Sequence, residues 1–330
     1  MRGKRFLFTL VIAVLPPAAW SQQSRNFGDG VQSGGIEVLH IRDNIYALIG
    51  AGGNITASIG ADGVLLVDTG LAQNTDKVLK AIQDTAKPIT RKPIQWIINT
   101  HVHPDHTGGN EPLRKAGVTF TGGNVAGNIE DAGEGAAIIA HENVQIRMSA
   151  ARPAIPFDAM PTDTYHIDKM NLSHFFNGEG VQILARPKAH TDGDSLVYFR
   201  RSDVLATGDV FLTTTYPVID LAQGGGIQGI LDALNHILDL AVPEFRLEAG
   251  TIIVPGHGRL ADSADVAYYR DAVTIIRDRI QDALKRGLTL EQIKAAKLTL
   301  DHDGRYGATA GPWTTDMFIE AVYKSLGARK

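Results

Sequence analysis

Apolar and polar residues alternate in short runs along most of the chain, and the spacing changes to a helical period at intervals. Residues 36–41 and 45–49, separated by Arg42-Asp43-Asn44, predict a β-hairpin after a polar, Gly-rich arm at 22–35. A Gly-rich turn at 50–54 precedes strands at 55–60 and 64–68. Val78, Leu79 and Ile82 predict a helix over 75–85, ended by Lys87-Pro88. The apolar run Trp96-Ile97-Ile98 reads as a buried strand. A short helix at 111–116, a strand at 118–121 and a largely helical stretch at 124–148, with His141 in a structural role, come next. Residues 149–163, with Pro153, Pro156 and Pro161, are a long irregular connection; Phe157 and Met160 form either an apolar wall over a site or part of a surface crossing. Residues 165–167 and 172–176 open a run of antiparallel strands with a turn at Asn177-Gly178, continued at 181–185, 196–199, 204–207 and 251–254. Helices are expected at 227–241, 264–285 and 289–296, the last capped by Thr289. The pattern gives two similar halves, 35–150 and 160–260.

The N-terminus departs from this pattern. Arg2, Lys4 and Arg5 precede an apolar run over 6–15, and Ala19 and Ser21 supply small residues, which predicts a signal peptide over 1–21. The run is short for a membrane span, so no stable anchor is expected once it is cut. The expected location is periplasmic or secreted. Cleavage would take the formal net charge from −4 to −7, a balance that offers nucleic acid no general attraction. The chain has no cysteine, hence no disulfide and no thiolate metal ligand. Oligomeric state is not legible.

The candidate chemistry is concentrated in His101-Val102-His103-Pro104-Asp105-His106, just after the buried strand. His101 and His103 alternate with Val102, so an extended backbone projects both to one side. Pro104 predicts a loop rather than a helix here, and Asp105 and His106 follow where the chain turns to face a second point. Imidazoles and a carboxylate are donors that zinc accepts, and this spacing suits two adjacent metals better than one.

These residues resemble the metallo-β-lactamase-fold superfamily, and so do three later ones: His190 in Ala-His-Thr-Asp-Gly-Asp, Asp209 in Thr-Gly-Asp, and His257 in Val-Pro-Gly-His-Gly. The resemblance implies an α/β fold, an αββα sandwich of two mixed β-sheets flanked by helices, over a single domain at 22–330 with the metals at the sheet edge. It implies two Zn²⁺ ions: a first site of His101, His103 and His190, a second of Asp105, His106 and His257, and Asp209 bridging both. Iron or manganese suits the same donors. A metal-bridging hydroxide would attack a carbonyl, with Asp105 and Asp209 orienting it. Asp68 is implied either beneath the metals or as a helix cap, and Asp192 and Asp194 as partners for ring nitrogens turned away from metal. Arg152, Lys188 and Tyr216, near expected loop tips, are candidates to hold a small-molecule substrate.

Two departures narrow the reading. Asp209 stands where the exported zinc β-lactamases of the first subclass carry Cys, and Leu212 where they carry a substrate-gripping Lys. The bridging Asp resembles glyoxalase II, whose C-terminal glutathione-binding helices have no match here. An exported hydrolase is expected, with a β-lactam-like amide favoured. The alternatives are a thioesterase, lactonase or sulfatase-like enzyme, or a non-catalytic periplasmic accessory protein of a redox or quinoprotein system.

Overall fold

The computed structural model describes residues 31–33, 35–118, 135–172, 174–241 and 250–327. The expected signal peptide, residues 22–30 of the arm, 119–121 of one strand and 124–134 of one helix lie outside them. In chain order the elements are β1 (Val31–Ser33), β2 (Ile36–Arg42), β3 (Ile45–Ile49), β4 (Ile55–Gly60), β5 (Gly63–Val67), α1 (Thr75–Ala86), β6 (Ile94–Ile98), α2 (Pro104–Thr107), α3 (Asn110–Lys115), β7 (Ala137–His141) and α4 (Glu142–Ala150). There follow β8 (Asp163–Tyr165), β9 (Lys169–Asn171), β10 (Val181–Ala185), β11 (Ser195–Phe199), β12 (Val204–Ala206), α5 (Ile227–Leu240), β13 (Ile252–Val254), α6 (Ser263–Lys285), α7 (Leu290–Ala295), α8 (Leu300–Tyr306) and α9 (Thr315–Gly327).

Two mixed sheets result. In the first, β1 to β8 lie side by side in chain order, antiparallel as far as β5 and parallel from β5 onward. In the second the order is β13-β12-β11-β10-β9, with only β12–β13 parallel. Leu65, Val67, Ile98, Val197, Phe199 and Val204 belong to the layer between the sheets. The outer face of the first sheet packs on α1 through Val78 and Ile82, and that of the second on α5, α6 and α9 through Leu234, Ile276 and Phe318. Sheets covered on both faces need apolar residues at nearly every position, and β5 and β11 are buried along their whole length. The expected αββα sandwich is thus the observed one. No helix among the described residues is long and apolar enough to cross a membrane.

Several local expectations are corrected. Residues 31–33 of the supposed arm pair with β2 as an edge strand. Residues 137–141 are strand β7 rather than helix; Ala137-Ile138-Ile139-Ala140 is a fully buried run, whose pattern does not separate strand from helix. His141 ends β7 and caps α4, its Nδ1 accepting from Asn143 N at 3.2 Å. Pro104 opens a helical turn instead of preventing one, because proline at the first helical position loses no hydrogen bond. Tyr165 closes a strand parallel to β7, not an antiparallel one. Asn177 and Gly178 form the expected turn, both with positive φ (52° and 76°), as a tight hairpin of this kind requires.

Candidate metal centre

The site forms where strand ends of both sheets meet. From the first sheet, β5 leads to Asp68, and β6 to His101 and His103. The helical turn α2 carries Asp105 and His106. From the second, β10 leads to His190, β12 to Asp209 and β13 to His257. Their donor atoms fall into two groups that could each hold a metal ion: His101, His103, His190 and Asp209; and Asp105, His106 and His257.

The geometry within each group is close. His190 Nε2 lies 2.9 Å from His103 Nδ1, and His257 Nε2 lies 3.0 Å from Asp105 Oδ2 and 3.4 Å from His106 Nε2. Asp209 serves both groups with different oxygens. Its Oδ1 is 3.1 Å from His106 Nε2 and 3.5 Å from His257 Nε2, whereas Oδ2 is 3.7 Å from His190 Nε2 and 4.0 Å from His101 Nε2.

Four of the rings turn their other nitrogen away from the cluster and fix it. His101 Nδ1 meets Thr100 Oγ1 at 3.0 Å, His103 Nε2 meets Asp220 Oδ2 at 2.9 Å, His106 Nδ1 meets Asp68 Oδ2 at 2.8 Å and His190 Nδ1 meets the Val218 carbonyl at 2.7 Å. Outer partners of this kind set the tautomer and aim the free nitrogen inward. His101 Nε2 is buried and finds no hydrogen-bond partner among the described residues. A buried polar atom left so is costly unless something else occupies its lone pair, and a cation among three imidazoles and a carboxylate does that. The donor set therefore fits metal.

Charge agrees with this. Burial pushes His101 well below its ordinary pKa, helped by His106 beside it, so this ring is neutral. Burial works against the imidazolium of His106, but the Asp209 and Asp68 carboxylates at its two nitrogens hold its pKa well above the usual value. Asp209 is likewise opposed by burial, yet His106 and its neighbours keep it well below the carboxylate range. A site that concentrates negative charge on one buried imidazole is one that attracts a cation.

The local backbone is built for this arrangement. Asp68 sits at φ 66°, a left-handed conformation costly for a non-glycine residue, and is held there by accepting from Thr100 N (2.8 Å) and Thr100 Oγ1 (2.7 Å) as well as facing His106. Gly256 lets β13 pass against the bridging carboxylate, since a Cβ there would lie 2.0 Å from Asp209 Oδ1.

Residues 50–257 match the metallo-beta-lactamase superfamily. The chain belongs to that superfamily. It is 24% identical over 272 residues to a linear primary-alkylsulfatase of Pseudomonas sp. (strain ATCC 19151), which covers 70% of this chain but 47% of the relative, so the chain spans about half that protein's length. Among solved structures it resembles a metallo-beta-lactamase from Pontibacter korlensis (TM-score 0.54, 17% identity, 72% of this chain and 99% of the other). It also resembles the stereoselective inverting sec-alkylsulfatase Pisa1 from Pseudomonas sp. (TM-score 0.58, 15% identity, 87% of this chain and 49% of the other). At such identities the structural likenesses speak to the fold.

The seven residues picked from the superfamily motif thus come together, and Asp68 touches His106 rather than capping a helix. Other expectations are corrected. Asp194 reaches no histidine ring; it accepts from Thr191 N at 2.7 Å and Thr191 Oγ1 at 2.9 Å, bracing the turn after His190. Asp192 pairs with Arg147 at 2.6 Å. Tyr216 is buried, its hydroxyl donating to Thr299 O and Asp303 Oδ1 and its ring stacked on Phe318, so it cannot reach a substrate. Arg152 donates to its neighbour Ala151 O, and Lys188 is an exposed left-handed turn residue; neither pairs with the cluster among the described residues. Phe157 points to solvent, while Met160 joins Val102, Val144 and Met148 in a small apolar cluster beside the metal loop. Asp220 was not foreseen, because nothing in the sequence ties it to a residue 117 positions earlier.

Proposed function

We propose that the chain is an exported hydrolase that uses two zinc ions to cleave a carbonyl-centred bond in a small molecule, a β-lactam-like amide being the first candidate. The observation that carries this reading is Asp209, whose two oxygens face different donor groups, as a carboxylate shared by two cations can. Zinc held there would supply Lewis acidity and a water of near-neutral pKa. No Ser, Cys or Lys nucleophile is then required of the chain.

The protein residues have separate tasks. His101, His106 and His190 are fully buried and form the floor. The side chains of His103, Asp105 and His257 are 23%, 30% and 32% exposed, so substrate enters over these three. Asp105 and Asp209 present acceptors at the mouth and on the floor, where they orient the attacking water. Asp68, Thr100, Asp220 and Val218 O hold the rings during turnover. The basic, then apolar, N-terminal residues support export and cleavage near residue 21.

A second reading, hydrolysis of a sulfate ester, is favoured by the alkylsulfatase relative and by the 87% of this chain that Pisa1 spans. Leu212, buried at the position of the lactamase lysine, also favours it, since it removes a grip on the lactam carboxylate. Metal content of the purified protein should be measured with turnover of a chromogenic cephalosporin, a p-nitrophenyl ester and p-nitrophenyl sulfate. Two zinc per chain with cephalosporin or ester turnover lost in Asp209→Ala supports the first reading. Turnover of the sulfate alone supports the second. Full activity in Asp209→Ala would overturn both.

A further inference from the structure

Three of the strands that bring residues to the metal centre do so from their C-terminal ends: β5 to Asp68, β6 to His101 and β10 to His190. At the N-terminal ends of the same strands, on the far side of the sandwich, a cleft of about 350 Å³ opens between the sheets. Trp96 and Leu172 are partly buried in the inter-sheet layer at its base, beside buried Phe176. Phe175 forms one lip and is 76% exposed. The volume lies within the range of about 300–1,000 Å³ typical of small-ligand sites, and half of the lining residues, Trp96, His174, Phe175 and Phe176, are aromatic.

Two charged residues mark the rim. Asp62 is occupied: its Oδ2 accepts from Asn177 N at 2.8 Å, and its backbone carbonyl accepts from Gln95 Nε2 at 2.7 Å. Lys92 lines the same cleft, is exposed, and has no ion pair among the described residues. We propose that this cleft is a second binding site, separate from the metal centre, for a small amphiphile with a flat apolar body and one anionic group. The body would lie between Phe175 and Trp96, and the anion would meet the Lys92 ammonium. A partly open aromatic floor gains by covering its apolar area, and an unpaired ammonium at its rim selects the sign of the ligand's charge.

The test is fluorescence titration of the full chain with 1-anilinonaphthalene-8-sulfonate and with the neutral N-phenyl-1-naphthylamine. Lys92→Ala should weaken binding of the sulfonate about fivefold and leave the neutral probe unchanged, the size of one exposed charge pair. Phe175→Ala should weaken both about tenfold through lost apolar cover. Hydrolysis should be unaffected by either change. Equal binding of both probes by all three proteins would overturn the site, and loss of the neutral probe alongside the sulfonate in Lys92→Ala would overturn its preference for anions. A change of mass in solution with Phe175→Ala would make the cleft a contact between copies instead.

Discussion

The carboxylate of Asp220 meets Nε2 of His103 at 2.9 Å, while its own backbone N–H donates to the carbonyl of His190 at 3.0 Å. One residue on the loop before α5 thus fixes the ring of His103 and the backbone of His190, two residues of the first donor group. The His103 hydrogen bond holds Asp220 below the ordinary carboxylate pKa, so it is an anion at neutral pH and requires the ring proton on Nε2, leaving Nδ1 free for metal.

Asp220→Ala should lower metal affinity and turnover about 10- to 100-fold, the usual cost of removing an outer partner of a ligating histidine. Asp220→Asn, which keeps an acceptor, should lose less. Chelator competition reads the affinity directly. Equal affinity in Asp220→Ala and the unsubstituted protein would show that the ring is held by other means.

Gly256 should be irreplaceable for a reason unrelated to backbone flexibility. It does not occupy the left-handed region; the constraint is that a Cβ would lie 2.0 Å from Asp209 Oδ1 and 2.7 Å from the Gly208 carbonyl carbon. Gly256→Ala should displace the shared carboxylate, so that both donor groups bind metal less tightly. The signature is a fall in total bound metal, not a partial occupancy of one donor group, with the circular dichroism of the fold retained.

The candidate metal-binding residues were legible as a group because strand ends impose local order: His101, His103, Asp105 and His106 fall within one short segment, and His190, Asp209 and His257 each close a buried run. What supports them was less legible. Asp68 carries a strand-end signature, but Asp220 lies in a loop whose approach to His103 depends on how the two sheets face each other. Asp194 and Asp192 sit beside His190 in sequence and yet turn to Thr191 and Arg147, since adjacent residues in a turn point in different directions. The helix expected across 137–141 shows the limit of periodicity in a buried apolar run. Tyr216 reads as a loop-tip hydroxyl in the sequence because its cover comes from α8 and α9, its partner Thr299 lying 83 positions further on, and no local pattern records that packing.

Tyr216→Phe tests that last correction. The hydroxyl is buried between Thr299 O and Asp303 Oδ1, and burial, with Asp303 beside it, pushes its pKa far above the ordinary phenol value. Removing it should cost about 1 kcal/mol of stability, as for one buried hydrogen bond, and leave KM unchanged. A raised KM without loss of stability would return Tyr216 to the substrate site.

Removing the metals should expose a pH dependence of definite sign. In the metal-free protein, burial disfavours the charged form of His106, but Asp209 and Asp68 outweigh it and raise its pKa well above 6.5; His257 is raised in the same way, against burial, by Asp105. A histidine whose folded pKa exceeds its unfolded value stabilises the fold fully below the unfolded value, and this is lost as pH rises through the folded one. His101 and His190 are lowered, chiefly by burial, so their influence falls below 6.5 and does not enter the alkaline window. Chelated protein should therefore melt at progressively lower temperature as pH rises above 6.5, while zinc-loaded protein, in which the cation would replace those protons, should not. Zinc added to chelator-free apoprotein in weak buffer at pH 7 should also release protons, because the metal takes only neutral rings. Melting of the chelated protein that is flat or rises across this range, with no proton release, would mean that His106 is not held between the two carboxylates in solution.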